Sequence, residues 1–459
     1  MKLKNIISIN LCSLLLVSAW SCRKSDKLDV DMSQYVVDRP TENDLDKWIT
    51  TNLTNPYNIE LMYRFERSQM DVAKDVAPVK LEKVKPTAEA IINIFLKTYE
   101  KVGGTTFIKT YTPKQFVLYG SPAYNSNGSI TLGTADGGRK VVLYELNDLN
   151  FNDPAQVSRK MRTIHHEFTH IVNQIIPIQP EFALVTKADY YADWTNSANT
   201  EDAAKQLGFV SRYSRSSYTE DFAEMVAFLL IEGQLWFDTY AKSAGAAGQT
   251  KLKKKEALVV DYFRQFFNIN FRQLQYEVGK VLRDTYNDKS RGFTYAMQNG
   301  LLANPLAINF TDGTHYVEYG QSAKFKTVWD ACKTALAPSG FTPISFNVVW
   351  LSKTQVQMQM NFIQNSTNGG FTAWYDFNFA INSSGDITFT YVENPSTVAQ
   401  YANGRIPQIL AGYTPFINYL NTNTFKGDWM PVTEGANNYL KFGGFYVKSE
   451  PDNYFYGKF

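Results

Sequence analysis

Three of the four histidines in this chain, His165, His166 and His170, fall inside six consecutive positions, and Glu167 stands between the last two. This spacing constrains the fold, because His166 and His170 can act together only if the chain between them is helical. At i and i+4, two imidazoles leave one helix face about 6 Å apart and can share one ion. The flanking residues predict that helix independently of the motif. Asp153 is a good N-cap, Pro154 suits the first helical position, and Pro177 ends the helix. At about 100° per residue, Val157, Met161, Ile164, Phe168, Ile171, Val172 and Ile175 form one apolar stripe about 100° wide. With Val157 at the origin, His166 falls at about 180° and His170 at about 220°, so the pair faces away from the core and towards a cleft. His165 lies at the edge of the stripe and reads as structural.

Two histidines and an intervening glutamate point to zinc, which takes three protein ligands in a catalytic site and leaves a fourth position for water. No other histidine precedes His315, so the third ligand is expected to be a carboxylate. A second amphipathic helix, running from Tyr218 through Phe228, supplies Glu220, Asp221 and Glu224. Glu220 and Glu224 are one turn apart and share a face, whereas Asp221 is displaced by about 100° and points elsewhere. One of the two glutamates can bind the metal while the other supports a ligand histidine through its second ring nitrogen. A plainer alternative is that Ser217 and Glu220 only form a capping box. Glu167 is placed to act as general base towards the metal-activated water.

The first residues read as a targeting signal, with Lys2 and Lys4 ahead of a short apolar run from Ile6 to Val17. Ala19-Trp20-Ser21-Cys22 resembles the box at which bacterial lipoproteins are cleaved and acylated, with Trp20 departing from its usual small residues. Lipidation is expected at Cys22. Cys332 is then the one cysteine of the folded body, which excludes an intrachain disulfide. No later run approaches the ~18 apolar residues of a membrane span, so the acyl chains are the expected anchor. A net charge of +2 and the absence of long like-charge blocks argue against a nucleic-acid partner.

Short helical patterns at 41–50 and 86–99 precede strands at 116–119, 129–132 and 140–146, and helices return from Pro154 to about Asp284. Beyond residue 300 the texture changes. Val356, Met358, Met360 and Phe362 alternate with Gln355, Gln357, Gln359 and Asn361, and Tyr375, Phe377, Phe379 and Ile381 repeat the pattern. These are expected to be antiparallel strands with one wet face, joined by a hairpin turn at Asn382–Gly385. Segments 324–336 and 398–420 read as helices. The predicted organisation is a signal segment at 1–21, a tether at 22–40, a metallohydrolase domain at 41–295 and a C-terminal α+β module at 300–459. Trp329, Trp350, Trp374 and Trp429 are expected to pack in the core of that last module.

HEFTH, followed by Gly208–Tyr213 and then by Glu220-Asp221-Phe222-Ala223-Glu224, resembles the zinc-binding metallopeptidase lipoproteins associated with bacterial outer-membrane import systems. More distantly it is similar to gluzincin catalytic domains. The resemblance covers about residues 40–290 and implies a zincin-like α+β fold: a small mixed sheet plus helices carrying HExxH and ExxxE. It places the third ligand at Glu220 and a catalytic tyrosine at Tyr213, with Tyr218 as the alternative oxyanion donor. Helix position agrees for the ligand, since Glu220 opens its helix near the cleft and Glu224 lies a turn deeper. The function implied is a lipid-anchored zinc peptidase acting on peptide or protein substrates at the cell surface or periplasmic face, beside an import complex. The alternative is a substrate-capturing lipoprotein without activity, built on the same scaffold.

Overall fold

The computed structural model describes residues 41–71, 73–136, 138–311, 313–429 and 437–459. The expected signal segment, Cys22 and the tether to residue 40 lie outside the described residues. The chain divides into two units, one ending at Lys47 and the other spanning Trp48–Phe459. At the edge of the first, Asn43 and Asp46 exchange backbone-to-side-chain hydrogen bonds of 2.9 Å, which open the helix Asp44–Ile49.

Within the second unit, Leu81–Ala90 (α1) and Lys97–Tyr111 (α2) run on through a π-helical stretch, Ile91–Leu96. The helix thus starts five residues before Pro86, where the sequence pattern begins. A proline so near the N-terminus removes only the bond its N–H would give to residue 82. Gly104, at φ 83°, bends α2 in a conformation that residues with a Cβ rarely adopt.

Six short strands follow one another: Glu60–Met62 (β1), Gln115–Leu118 (β2), Ala123–Tyr124 (β3), Ile130–Thr131 (β4), Gly133–Asp136 (β5) and Lys140–Leu143 (β6). Four of them form a mixed sheet in the order β1-β2-β6-β5, parallel except for the β5–β6 pair. Phe116–Leu118 and Val141–Leu143 are apolar on both faces and buried, as inner parallel strands must be. Strands β3 and β4 make a separate hairpin. β1 and β5 escape the sequence reading, since each is short and carries too little apolar alternation to mark a strand. β5 lies at one edge of the sheet and β1 at the other.

Helix Pro154–Ile175 (α3) packs between β5 and helix Tyr218–Ile231 (α4). The Asp153 carboxylate caps α3 by accepting from the N–H groups of Ala155 and Gln156. The apolar stripe is buried from Val157 to Val172, but its last member, Ile175, is 50 % exposed because the chain leaves the core there. The Phe168 ring lies edge-on to Phe95 and Tyr99, at 4.9 and 5.0 Å, which locks α3 onto the first helices. Helices Gly233–Ser243 (α5), Gly245–Phe267 (α6) and Phe271–Tyr286 (α7) complete this half.

After helix Phe293–Asn299 (α8), eight antiparallel strands close a barrel: Leu306–Ile308 (β7), Phe341–Trp350 (β8), Gln355–Gln364 (β9), Gly369–Ile381 (β10), Ile387–Val392 (β11), Phe425–Asp428 (β12), Phe442–Val447 (β13) and Glu450–Lys458 (β14). Closure rests on two narrow seams, Ile387 opposite Phe425 and Lys458 opposite Ala307. Phe325, Trp329, Cys332 and Leu336 of helix Ala323–Leu336 (α9) share one buried cluster with the strands. The expected single helix at 398–420 is two, Ala399–Arg405 (α10) and Pro407–Thr422 (α11). It breaks at Ile406, because the residue before a proline is pushed into extended geometry. Ile409, Tyr413, Phe416 and Leu420 of α11 join the same core. Trp329 and Trp429 are buried, and Trp350 and Trp374 are half-buried.

The face expected to be wet is in part dry. Gln357 and Asp376 are each 3 % exposed under α10, where the Tyr401 hydroxyl lies 2.7 Å from Gln357 Nε2 and 2.9 Å from Asp376 Oδ2. Asn394 donates to the same Oδ2 and Gln357 Nε2 to Oδ1 of that carboxylate, so the buried polar atoms are paired with one another. No helix among the described residues is long and apolar enough to cross a membrane.

Candidate metal centre

His166 and His170 leave α3 on the side opposite its buried stripe, and α4 brings Glu220 to meet them. His166 Nε2 lies 3.0 Å from Glu220 Oε2, His170 Nε2 lies 3.3 Å from the same oxygen, and the two ring nitrogens are 3.1 Å apart. A tetrahedral zinc ion 2.0–2.1 Å from each ligand would hold three such atoms about 3.3 Å from one another. These three atoms therefore fit one ion, and two imidazoles with a carboxylate are a donor set that zinc favours.

Ser217 does cap α4, its hydroxyl accepting from the Glu220 N–H at 3.2 Å. The Glu220 carboxylate does not turn back to complete a capping box; it points at the two histidines. Burial opposes ionisation of Glu220, but its bonds to His166 and His170 outweigh burial and hold its pKa well below the usual carboxylate range. Glu224 reaches the other nitrogen of His166, with Oε1 2.9 Å from Nδ1, and its Oε2 accepts from the Ser211 hydroxyl at 2.6 Å. Burial disfavours the charged form of His166, yet the bonds to Glu220 and Glu224 raise its pKa to about 10. An Nδ1–H donated to Glu224 fixes the ring so that Nε2 faces the cluster.

Asp221 points away, as its wheel angle requires. Fully buried, it pairs with Lys255 at 2.6 Å and accepts from the Tyr190 hydroxyl at 2.9 Å. Lys255 also donates to the Gly208 carbonyl at 2.9 Å, tying α6 to the loop that carries Ser211 and Tyr213. His165 is buried among Phe95 and Tyr99, and burial pushes its pKa down to about 3, consistent with a packing role.

Glu167 is 9 % exposed beside the cluster. Burial pushes its pKa up, while the two histidines and a hydrogen bond from the Ala135 N–H of β5 pull the other way. The Tyr213 ring lies 6.0 Å from that of His166 and stands edge-on to Trp194 at 5.0 Å. Burial, and then the neighbouring Glu220 carboxylate, raise its pKa above the usual phenol value, so the hydroxyl keeps its proton. Tyr218, the alternative, is 48 % exposed and does not line the cleft.

That cleft, of about 420 Å³, is walled by α3, by the β3–β4 hairpin, and by Trp194 and Tyr213. None of the described residues after Glu224 lines it, so the barrel contributes no wall. The sequence reading missed four contributors: Trp194, Ser211, Arg159 and Arg162. The arginines carried a signal, since both fall on the histidine face of the α3 wheel. Ser211 stood inside a quoted motif without a role, and nothing in the sequence marks Trp194 as a neighbour of Tyr213.

Two imidazoles and a carboxylate on adjoining helices, with the Glu167 carboxylate beside them, form a donor set of the kind that holds zinc. Residues 38–272 match the family model described as "putative zinc-binding metallo-peptidase", and the chain belongs to that family. It is also similar to a crystal structure described as a "putative zinc-binding metallo-peptidase" from Bacteroides caccae. That protein is 26 % identical over 53 % of this chain and 92 % of its own, with a TM-score of 0.46. A search of curated proteins finds no match.

Proposed function

We propose that the protein is a zinc-dependent peptidase, tethered by a lipidated Cys22 to the outer membrane beside a nutrient-import system. The observation that carries the catalytic part is the convergence of His166, His170 and Glu220 within 3.3 Å, at the edge of a cleft lined by His166 and Glu167. When bound, zinc supplies Lewis acidity, lowering the pKa of a water molecule from 15.7 towards about 7 and polarising a substrate carbonyl. Glu167 accepts the proton of the attacking water, and its burial-raised pKa suits it to pass that proton to the departing amine. Tyr213, kept protonated by its surroundings, donates to the oxyanion that develops on the carbonyl. Glu224 and Ser211 hold the His166 ring in register. The membrane assignment is supported by the basic and apolar leader and by the Ala19–Cys22 box.

The test is metal analysis of the purified protein together with hydrolysis of a peptide library. One zinc per chain and peptide cleavage abolished by a chelator are expected. A metal-free, inert protein that still binds peptides or sugars would instead mean a capture lipoprotein.

A further inference from the structure

We propose that Arg159 and Arg162 select a substrate that presents a carboxylate two or three residues from the bond to be cleaved. The inference rests on the peptidase reading above and adds the substrate class.

Both arginines line the cleft, and they are the only lysine or arginine side chains that do so among the described residues. The carboxylates of the lining, Glu167 and Glu224, sit at the metal end. The rest of the lining is uncharged, with Asn125, Asn127, Ser129 and Thr163 as polar members and Ile130 and Leu132 as apolar ones. A negative group entering past the metal thus meets guanidinium groups and no opposing acid.

Each guanidinium is aimed from behind. Arg162 Nη1 donates to Glu232 at 2.8 Å while its plane lies over the Phe228 ring at 4.2 Å. Arg159 Nη1 donates to Glu145 at 2.9 Å, and the same Glu145 oxygen lies 3.8 Å from Lys160 Nζ. Neither glutamate lines the cleft, and Glu145 is shared between Arg159 and the buried Lys160. A guanidinium carries five N–H donors in a planar fork, so one anchoring bond fixes its plane without exhausting its capacity for a second carboxylate. Both side chains remain accessible, Arg159 at 48 % and Arg162 at 28 %.

The helix sets the register. At 1.5 Å per residue, Arg162 and Arg159 lie about 6 and 10 Å along α3 from His166. An extended peptide advances about 3.3 Å per residue, so these distances correspond to two and three residues from the scissile carbonyl. The carboxylate can be an acidic side chain or a free C-terminus, and the two are separable.

The experiment uses the full zinc-loaded chain and fluorogenic peptides with the scissile bond fixed. In one arm, Glu or Gln is placed at each position from three before to three after that bond, with the C-terminus amidated. In the other, neutral peptides ending two or three residues after the bond carry a free or an amidated C-terminus. One arm should show kcat/KM higher by about 10- to 100-fold for the carboxylate-bearing peptide, the size expected of a charge-assisted bidentate contact. The ratio should collapse to near unity in Arg159→Gln/Arg162→Gln and be partly retained in the double lysine variant. Zinc stoichiometry and circular dichroism certify folding, and Arg159→Gln alone, at the more exposed position, serves if the double variant is unstable. Equal rates for charged and neutral peptides, or a ratio that survives in the variant, would overturn the proposal. If the wild-type protein cleaves no peptide, the peptidase reading fails separately. Fluorescence anisotropy of the labelled Glu and Gln peptides then decides: tighter binding of Glu that depends on the arginines upholds the proposal, and equal affinity sinks it.

Discussion

Glu220 and Glu224 stand one turn apart on α4 and do different work on the same histidine. Glu220 meets Nε2 of His166 and of His170, whereas Glu224 meets only the Nδ1 of His166, on the far side of that ring. Removing Glu220 deletes one of the three atoms that fit the ion. Removing Glu224 leaves the ligands in place but frees the ring to turn. Glu220→Ala should therefore abolish binding at micromolar zinc, and Glu224→Ala should weaken it by about 10- to 100-fold. Zinc dissociation constants measured on folded variants check this, and the reverse order would exchange the two roles. The histidine face and the shared face of the two glutamates were legible from helical spacing, because one helix fixes the relative angles of its own residues. The Ser211 contact was not, because it depends on a loop docking against a helix that begins seven residues later.

At the scale of elements, α3 and the inner strands could be read because their caps and apolar periods are strong. β5 could not, since a short edge strand needs no apolar alternation when its partner and a helix cover it. The polar face of β9 and β10 shows how pattern misleads: alternating Gln and Asn read as solvated, yet α10 covers them and Tyr401 bridges Gln357 to Asp376. Tyr401→Phe should then cost about 0.5–1.5 kcal/mol, the net worth of the lost hydrogen bonds, since Gln357 and Asn394 still pair with Asp376. Urea unfolding monitored by circular dichroism measures it, and an unchanged midpoint would mean that water already serves those groups.

For the whole molecule, the two-part character beyond residue 300 was visible as a change of texture, but barrel closure was not. It depends on single residue pairs between segments distant in sequence, such as Lys458 with Ala307, which no local period encodes. The halves are also stitched together, since Phe293, Ala296 and Met297 of α8 enter the barrel core and Trp429 Nε1 donates to the Arg291 carbonyl at 2.8 Å. The proposed membrane attachment rests on the lipid alone, so Cys22→Ser should move the protein from the membrane to the soluble fraction on cell fractionation. Persistent attachment would remove the lipoprotein assignment.

The central claim is that the cluster activates water and that Glu167 takes its proton. The most direct measurement compares zinc content and peptide turnover in Glu167→Gln with those of the wild type. The amide keeps the size of the side chain but cannot accept the proton, and Glu167 is not among the three atoms that fit the ion. The variant should hold one zinc per chain while its kcat falls by about 10²- to 10⁴-fold or more. Wild-type turnover in a zinc-loaded Glu167→Gln protein would contradict the account.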